Sequence, residues 1–209
     1  AEMGFVRRNG YHRSSPAVGY RFYPLSDRIA YHGPALSADL FFDPDLAMTD
    51  REIEMEYTLT WMDRSSISLE LEEVYVKLFE PFDPTNTGGV ELPAGSDYSW
   101  PEVALNYLST QKWMFTYQLN ALYGGFYNGS RFSLNSEVNY RVQPYGSLSM
   151  NVEYNRIMLP EPYTSADLIL VGPKLDITFT RKLFFTTFVQ YNNQIDNINV
   201  NMRFQWRFA

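Results

Sequence analysis

The stretch NINVNMRFQWRFA, residues 197–209, decides the fold. Ile198, Val200, Met202, Phe204, Trp206 and Phe208 take the even positions, and Asn197, Asn199, Asn201, Arg203, Gln205 and Arg207 the odd ones. Successive side chains of a β-strand point to opposite faces, so a period of two describes a strand with one apolar and one polar face. The run is about twice as long as the usual five- or six-residue strand of a soluble protein.

The same pattern recurs upstream. Phe132, Leu134, Val138, Tyr140 and Val142 alternate with Arg131, Ser133, Asn135, Glu137, Asn139 and Arg141, and Leu148, Met150, Val152 and Tyr154 with Ser149, Asn151, Glu153 and Asn155. Ile53, Met55, Tyr57, Leu59 and Trp61 alternate with Glu52, Glu54, Glu56, Thr58 and Thr60; Ile67, Leu69 and Leu71 with Ser66, Ser68, Glu70 and Glu72. Phe115, Tyr117, Leu119, Ala121 and Tyr123 make another row. At Glu73 the phase slips, which reads as a bulge or as a strand leaving a membrane.

Two-faced strands of about ten residues are what a tilted strand crossing a bilayer needs. Lipid cannot satisfy backbone amides, so such strands must close into a barrel. The fold class expected is all-β: a transmembrane, antiparallel, up-and-down β-barrel forming a single domain over residues 1–209, standing alone or as part of a larger barrel. The competing architecture is a soluble barrel or sandwich with its apolar rows turned inward. Against it stand long side chains of both signs in the polar rows and large aromatics near strand ends, as in interfacial girdles.

Composition agrees. The 209 residues include 16 Tyr, 15 Phe and 4 Trp, 17% aromatic, while the mean hydropathy is only -0.31. No run of about 20 apolar residues is present, which excludes a membrane bundle of helices. The absence of cysteine excludes a disulfide framework. A net charge of -7 argues against nucleic acid as a partner, since phosphate binding needs a basic stripe. Ala1-Glu2-Met3-Gly4 carries no export signal, so a signal was cleaved or the chain starts within a longer protein.

Turn signals divide the chain into about eleven or twelve strands, within the range of membrane barrels; residues 5–12 would supply a first strand and an even count. Asn128-Gly129 predicts a type I′ hairpin turn, and Asp63-Arg64, Pro144-Tyr145-Gly146 and Arg181-Lys182 predict other short connections. The long connections, 79–100 and 157–165, are separated by four strands. They should therefore emerge on one side, the extracellular one, since the short turns of these barrels face the periplasm. The terminal Phe208 resembles the assembly signal of outer-membrane barrels; the equal alternative is a chain cut at that point.

Few residues suggest chemistry. His12 and His32 with no cysteine give no zinc spacing, and no cofactor is expected. Ser14, Ser15 and Asp27 lie near the histidines in sequence, but their spacing is not diagnostic of a hydrolytic triad. The charged rows are more informative. Glu52, Glu54, Glu56, Glu70 and Glu72 would face one lumen from neighbouring strands, and Arg131, Glu137, Arg141, Glu153, Arg203 and Arg207 would face it from elsewhere. An acidic arc opposite a basic arc could select polar solutes; in a barrel that closes alone, interlocked charges filling a narrow lumen are the favoured reading. Phe79, Glu80, Phe82, Asp83, Asp97 and Trp100 are the candidate extracellular-loop residues. The acids Glu80, Asp83, Glu91 and Asp97 could hold calcium but lack EF-hand spacing, and Gly88-Gly89 precedes no Gly-Lys-Ser or Gly-Lys-Thr, so it is not a phosphate loop.

The runs GYRFYP (19–24), TDREIE (49–54), LFEPFDPTN (78–86) and LFFTTFVQYNN (183–193) resemble a large family of bacterial outer-membrane proteins of unknown function. The resemblance is to its C-terminal barrel and covers nearly the whole chain. Members often carry an N-terminal β-sandwich similar to a sugar-binding module of carbohydrate-binding family nine, which this sequence lacks. The resemblance implies a Gram-negative outer membrane, with this chain as the C-terminal part of a longer protein. It implies no reaction. The expected function is a pore or a subunit of a transport or secretion assembly, with outer-membrane lipid and other outer-membrane or periplasmic proteins as partners. The alternatives are a plugged barrel recognising ligands through its loops and, from another class, a membrane-embedded hydrolase.

Overall fold

The computed structural model describes residues 10–208. Its regular elements are β1 (His12–Ser14), β2 (Ala17–Gly19), β3 (Ile29–Phe42), β4 (Met48–Trp61), β5 (Ser66–Lys77), β6 (Asp97–Leu108), β7 (Phe115–Phe126), β8 (Gly129–Val142), β9 (Gly146–Met158), β10 (Ala166–Thr180), β11 (Leu183–Asn192) and β12 (Asn197–Trp206). No helix occurs among the described residues. One 12-stranded antiparallel sheet holds them all: β3 to β12 follow one another in chain order, and β1 and β2 both pair with β3. The chain is thus all-β and up-and-down. Of the expected first strand, residues 5–9 lie outside the described ones.

β1 and β2 are pieces of one strand. His12 lies opposite Phe42, Ala17 opposite Ser37 and Phe22 opposite His32, a single unbroken register. Pro16 interrupts the ladder because it has no N–H to donate, although its carbonyl still accepts from Ala38 N at 3.0 Å. Proline is tolerated here because the strand is an edge. β12 is the other edge. Both edges run in the same direction, from the end of the sheet that carries the long connections to the end with the shorter ones, and they do not pair with each other.

We call these ends the loop rim and the turn rim. Residues 43–47, 78–96, 127–128, 159–165 and 193–196 connect strands at the loop rim, so both long loops share one side, as antiparallel order requires. Asp97 and Trp100 were expected in the first of these loops and instead open β6. Trp100 falls in register with Val74 and Asp97 with Lys77, so pairing begins earlier than the apolar pattern suggested.

Two further expectations need correction. The tight turn is Tyr127-Asn128, with Phe126 paired to Gly129. Of these residues only Tyr127 has positive φ, at 52°, whereas a type I′ turn needs it at both central positions. Gly129 is required for another reason: a Cβ there would lie 2.1 Å from the carbonyl oxygen of Met158. Nor is there a bulge at Glu73. β5 keeps register with β4 and β6 throughout, with Ile53 opposite Glu73 and Glu73 opposite Pro101. The residue type changes while the phase does not.

Candidate functional site

Register assigns every strand residue to one of two faces. One carries Ile53, Met55, Tyr57, Leu69, Leu71, Val103 and Leu105 on β4–β6 and Ile198, Val200, Met202, Phe204 and Trp206 on β12, and all of these are exposed. Glu52, Glu54, Glu56, Glu70, Glu72, Arg131, Glu137, Arg141, Glu153 and Arg203 lie together on the opposite, polar face. Arg207 follows β12, with its guanidinium 5.1 Å from the ring of Phe184, which is also on the polar face.

The polar face is ordered by rows that cross the strands. In one, Glu54, Glu72 and Glu102 stand directly opposite one another, followed by Gly124 and Arg131. Carboxylates in direct opposition repel, and Arg131 relieves only the last of them. Its Nη2 donates to Glu102 Oε1 and Oε2 at 2.9 and 3.1 Å, reaching past β7. Gly124 makes that reach possible: a Cβ there would lie 2.6 Å from the Cα of Glu102 and 2.8 Å from its side chain. Trp100 Nε1 also donates to Glu102, at 3.2 Å, and the Glu102 side chain is only 3% exposed.

A neighbouring row is a chain of amides. Asn135 Nδ2 donates to Asn120 at 3.5 Å, Asn120 Nδ2 to Asn106 Oδ1, and Asn106 Nδ2 to Glu70 Oε1 at 2.6 Å. All these donors point toward the acidic strands, so the row offers hydrogen-bonding dipoles to Glu70. Elsewhere on this face the charges find partners nearby. Arg13 binds Asp39 through two bonds of 2.7 Å, Lys174 lies 3.0 Å from Asp176, and Asn139 and Asn151 donate to Glu137 and Glu153 at 2.8 and 3.3 Å. Arg141 donates to the carbonyl of Gln111 at 2.9 Å. Glu52, Glu54, Glu56, Glu70 and Glu72 form a contiguous acidic patch on β4 and β5, and the arginines of β8 and β12 do not interlock with it. Glu102, Asp39, Arg13, Lys174 and Asp176 escaped the sequence reading. Glu102 was within its reach, because Val103, Leu105 and Tyr107 alternate with Glu102, Ala104 and Asn106.

Polarity reverses near the loop rim. There the polar face carries buried Val74, Trp100 and Ile157, and Leu78, Leu92 and Leu159 of the adjoining loops are buried with them. The opposite face turns charged: Arg51 donates to both oxygens of Glu73 at 2.6 and 2.9 Å, and Ser99 donates to Glu73 at 2.5 Å.

The 78–96 connection caps this end. Phe82 and Leu92 bridge its two arms, and Asp83 ties the tip. One carboxylate oxygen of Asp83 accepts from the amide and hydroxyl of Thr85 at 2.9 and 2.7 Å, the other from the amides of Thr87, Gly88 and Gly89 at 3.0, 3.0 and 3.1 Å. Burial pushes this carboxyl up, but the donated bonds outweigh it and hold it down to about 2. These bonds occupy both oxygens, which speaks against the calcium-ligand reading of the loop. Phe79 and Glu80 are exposed near the start of the cap.

The cap reaches far across the sheet. Phe82 packs 5.4 Å from the ring of Tyr127 in the β7–β8 turn, and Gly89 lies so close to Thr164 that a Cβ would collide with it. Gln194 Nε2, between β11 and β12, donates to the carbonyls of Thr85 and Asn86 at 3.4 and 2.8 Å. A loop rooted between β5 and β6 thus touches every connection from β7 to β12 on its rim, which requires the sheet to curl toward its polar face.

The serine, histidine and acid residues do not assemble. Ser15 donates to Asp39 at 2.6 Å, and His32 Nδ1 lies 2.6 Å from the hydroxyl of Tyr57 and stacks on Phe22. His12 pairs at the far end of β3. Among the described residues no group of three or more His, Cys, Asp or Glu could hold a metal ion. No family model, curated protein or solved structure matches the chain.

Proposed function

We propose that this chain is the wall of an outer-membrane β-barrel around a polar, net-acidic lumen, acting as a pore or as a subunit of an outer-membrane transport or secretion assembly. One observation carries the reading: through the middle of the sheet the apolar rows are exposed and the charged rows line the inside of the curl. In water such a surface would invite association; in a bilayer it is what strands of about ten residues must present. The strands β3 to β12, 10 to 15 residues long, have the required reach. Arg51, Glu73 and Ser99 then mark where the outer surface meets water, and the loop rim is the extracellular side because the shorter turns face the periplasm. The resemblance of residues 19–24, 49–54, 78–86 and 183–193 to a family of outer-membrane barrels supports the same location. Lipid covers the outer face, the sheet forms all or part of the barrel wall, and the rims offer contacts to other outer-membrane or periplasmic proteins. We assign no catalytic role.

The test is quenching of tryptophan fluorescence by brominated phospholipid in liposomes holding the full-length protein. A variant retaining only Trp206, on the apolar face, should be quenched, and one retaining only Trp100 should be spared. Equal quenching of the two, or a protein soluble without detergent, overturns the proposal. The packed apolar residues under the cap favour a second reading, a plugged barrel that recognises ligands through its loop rim; planar-bilayer conductance separates the two.

A further inference from the structure

We propose that the 78–96 cap is the constriction that sets the largest solute able to pass the loop-rim mouth. The inference rests on the transport reading above and deepens it. Three observations converge.

The first is span. Neighbouring strands lie about 4.8 Å apart, so the path along the sheet from β5 to β11 is roughly 29 Å, yet the tip of the cap meets Gln194 beyond β11 directly. Its course is a chord over the loop-rim end of the polar face, meeting the β7–β8, β9–β10 and β11–β12 connections on the way.

The second is anchorage. Interior apolar packing among the described residues is concentrated beneath this chord, where Val74, Leu78, Leu92, Trp100, Ile157 and Leu159 are all buried and Leu92 is 0% exposed. A lid swinging freely would leave these side chains to water. Contacts with Tyr127, Thr164 and Gln194 fasten the cap at separate points.

The third is internal rigidity. The five bonds to Asp83 fix the tip in one shape. Below the cap the face becomes acidic: Glu52 stands level with Val74 and Trp100, and Glu54, Glu72 and Glu102 form the next row down the strands. A solute entering from the loop rim must pass the edge of the cap before it meets that patch, so the cap selects on size ahead of any selection on charge.

The experiment compares three full-length proteins in planar bilayers and in liposome-swelling assays with oligosaccharides of graded size. They are the wild type, a variant with residues 84–91 replaced by two glycines, and the double variant Asp83→Asn, Gln194→Ala. Heat-modifiable migration on gels identifies folded barrels, and the double variant keeps the test usable if the shortened loop does not fold. The proposal expects severalfold larger unit conductance and a larger size limit in the variants, whether the wild type conducts weakly or not at all. Folded variants with the wild-type conductance and size limit overturn the constriction and leave the transport reading intact. No conductance from any folded form overturns both.

Discussion

Two regions of the same three strands, β4 to β6, obey opposite rules. Through the middle, Ile53, Met55, Leu69, Leu71, Val103 and Leu105 face out and Glu54, Glu56, Glu70, Glu72 and Glu102 face in. At the loop rim, Arg51, Glu73 and Ser99 face out while Val74 and Trp100 face in, beneath the cap. The pleat does not change between them, so the difference belongs to the surroundings; on the membrane reading proposed above, these are oil outside and water inside for one region and the reverse for the other. The boundary falls between Glu72 and Glu73, where two adjacent glutamates point to opposite faces and each meets a polar environment.

The comparison can be broken at either region. Trp100→Ala should have the largest effect, because it empties a buried site under the cap; such truncations cost about 3–5 kcal/mol, measured here by urea unfolding of the liposome-bound protein. If stability is unaffected, the packed end is not cohesive. Leu69→Arg should cost about 2–4 kcal/mol, the range for a charge at a bilayer midplane, whereas Asn135→Arg on the polar face should be tolerated; equal effects of the two would mean the faces do not differ in solvent. Glu73→Gln should cost about 1 kcal/mol or less, since it weakens a half-buried surface ion pair that water still reaches, and a larger loss would place Glu73 inside the lipid.

Asp83 supplies the last prediction, a titration that leaves neutral pH untouched. Its carboxyl sits lower in the folded protein, at about 2, than its ordinary 3.8, so its contribution is full above the ordinary value and is lost as pH falls through about 2. The protection of the Thr87, Gly88 and Gly89 amides against exchange, relative to their intrinsic rates at each pH, should therefore fall across that window and stay constant above it. Asp83→Asn should remove the pH dependence.

The sheet was legible because alternation is a local property. Residues 197–206 announce both faces of β12 without reference to anything else, and Glu52 to Glu72 do the same for β4 and β5. What the sequence concealed depended on contacts across the sheet. Gly129 reads as half of a turn, but its smallness answers to the carbonyl of Met158 on β9. Trp100 reads as a loop aromatic because its apolar packing lies on the face that is polar farther along. The pairing of Arg131 with Glu102 depends on the absent side chain of Gly124 between them. The reach of the cap to Gln194 follows from curvature, which no run of residues records.

The matching direction of the sheet's two borders has a consequence for assembly. Drawn together, the segment 12–22 and β12 would meet head beside head, giving a parallel seam in an otherwise antiparallel cylinder. A uniformly antiparallel cylinder therefore has to insert an odd number of strands at that seam, the first and last of them climbing from the turn rim toward the loop rim. The arithmetic of heading, and not the width of the gap, dictates what can complete the ring.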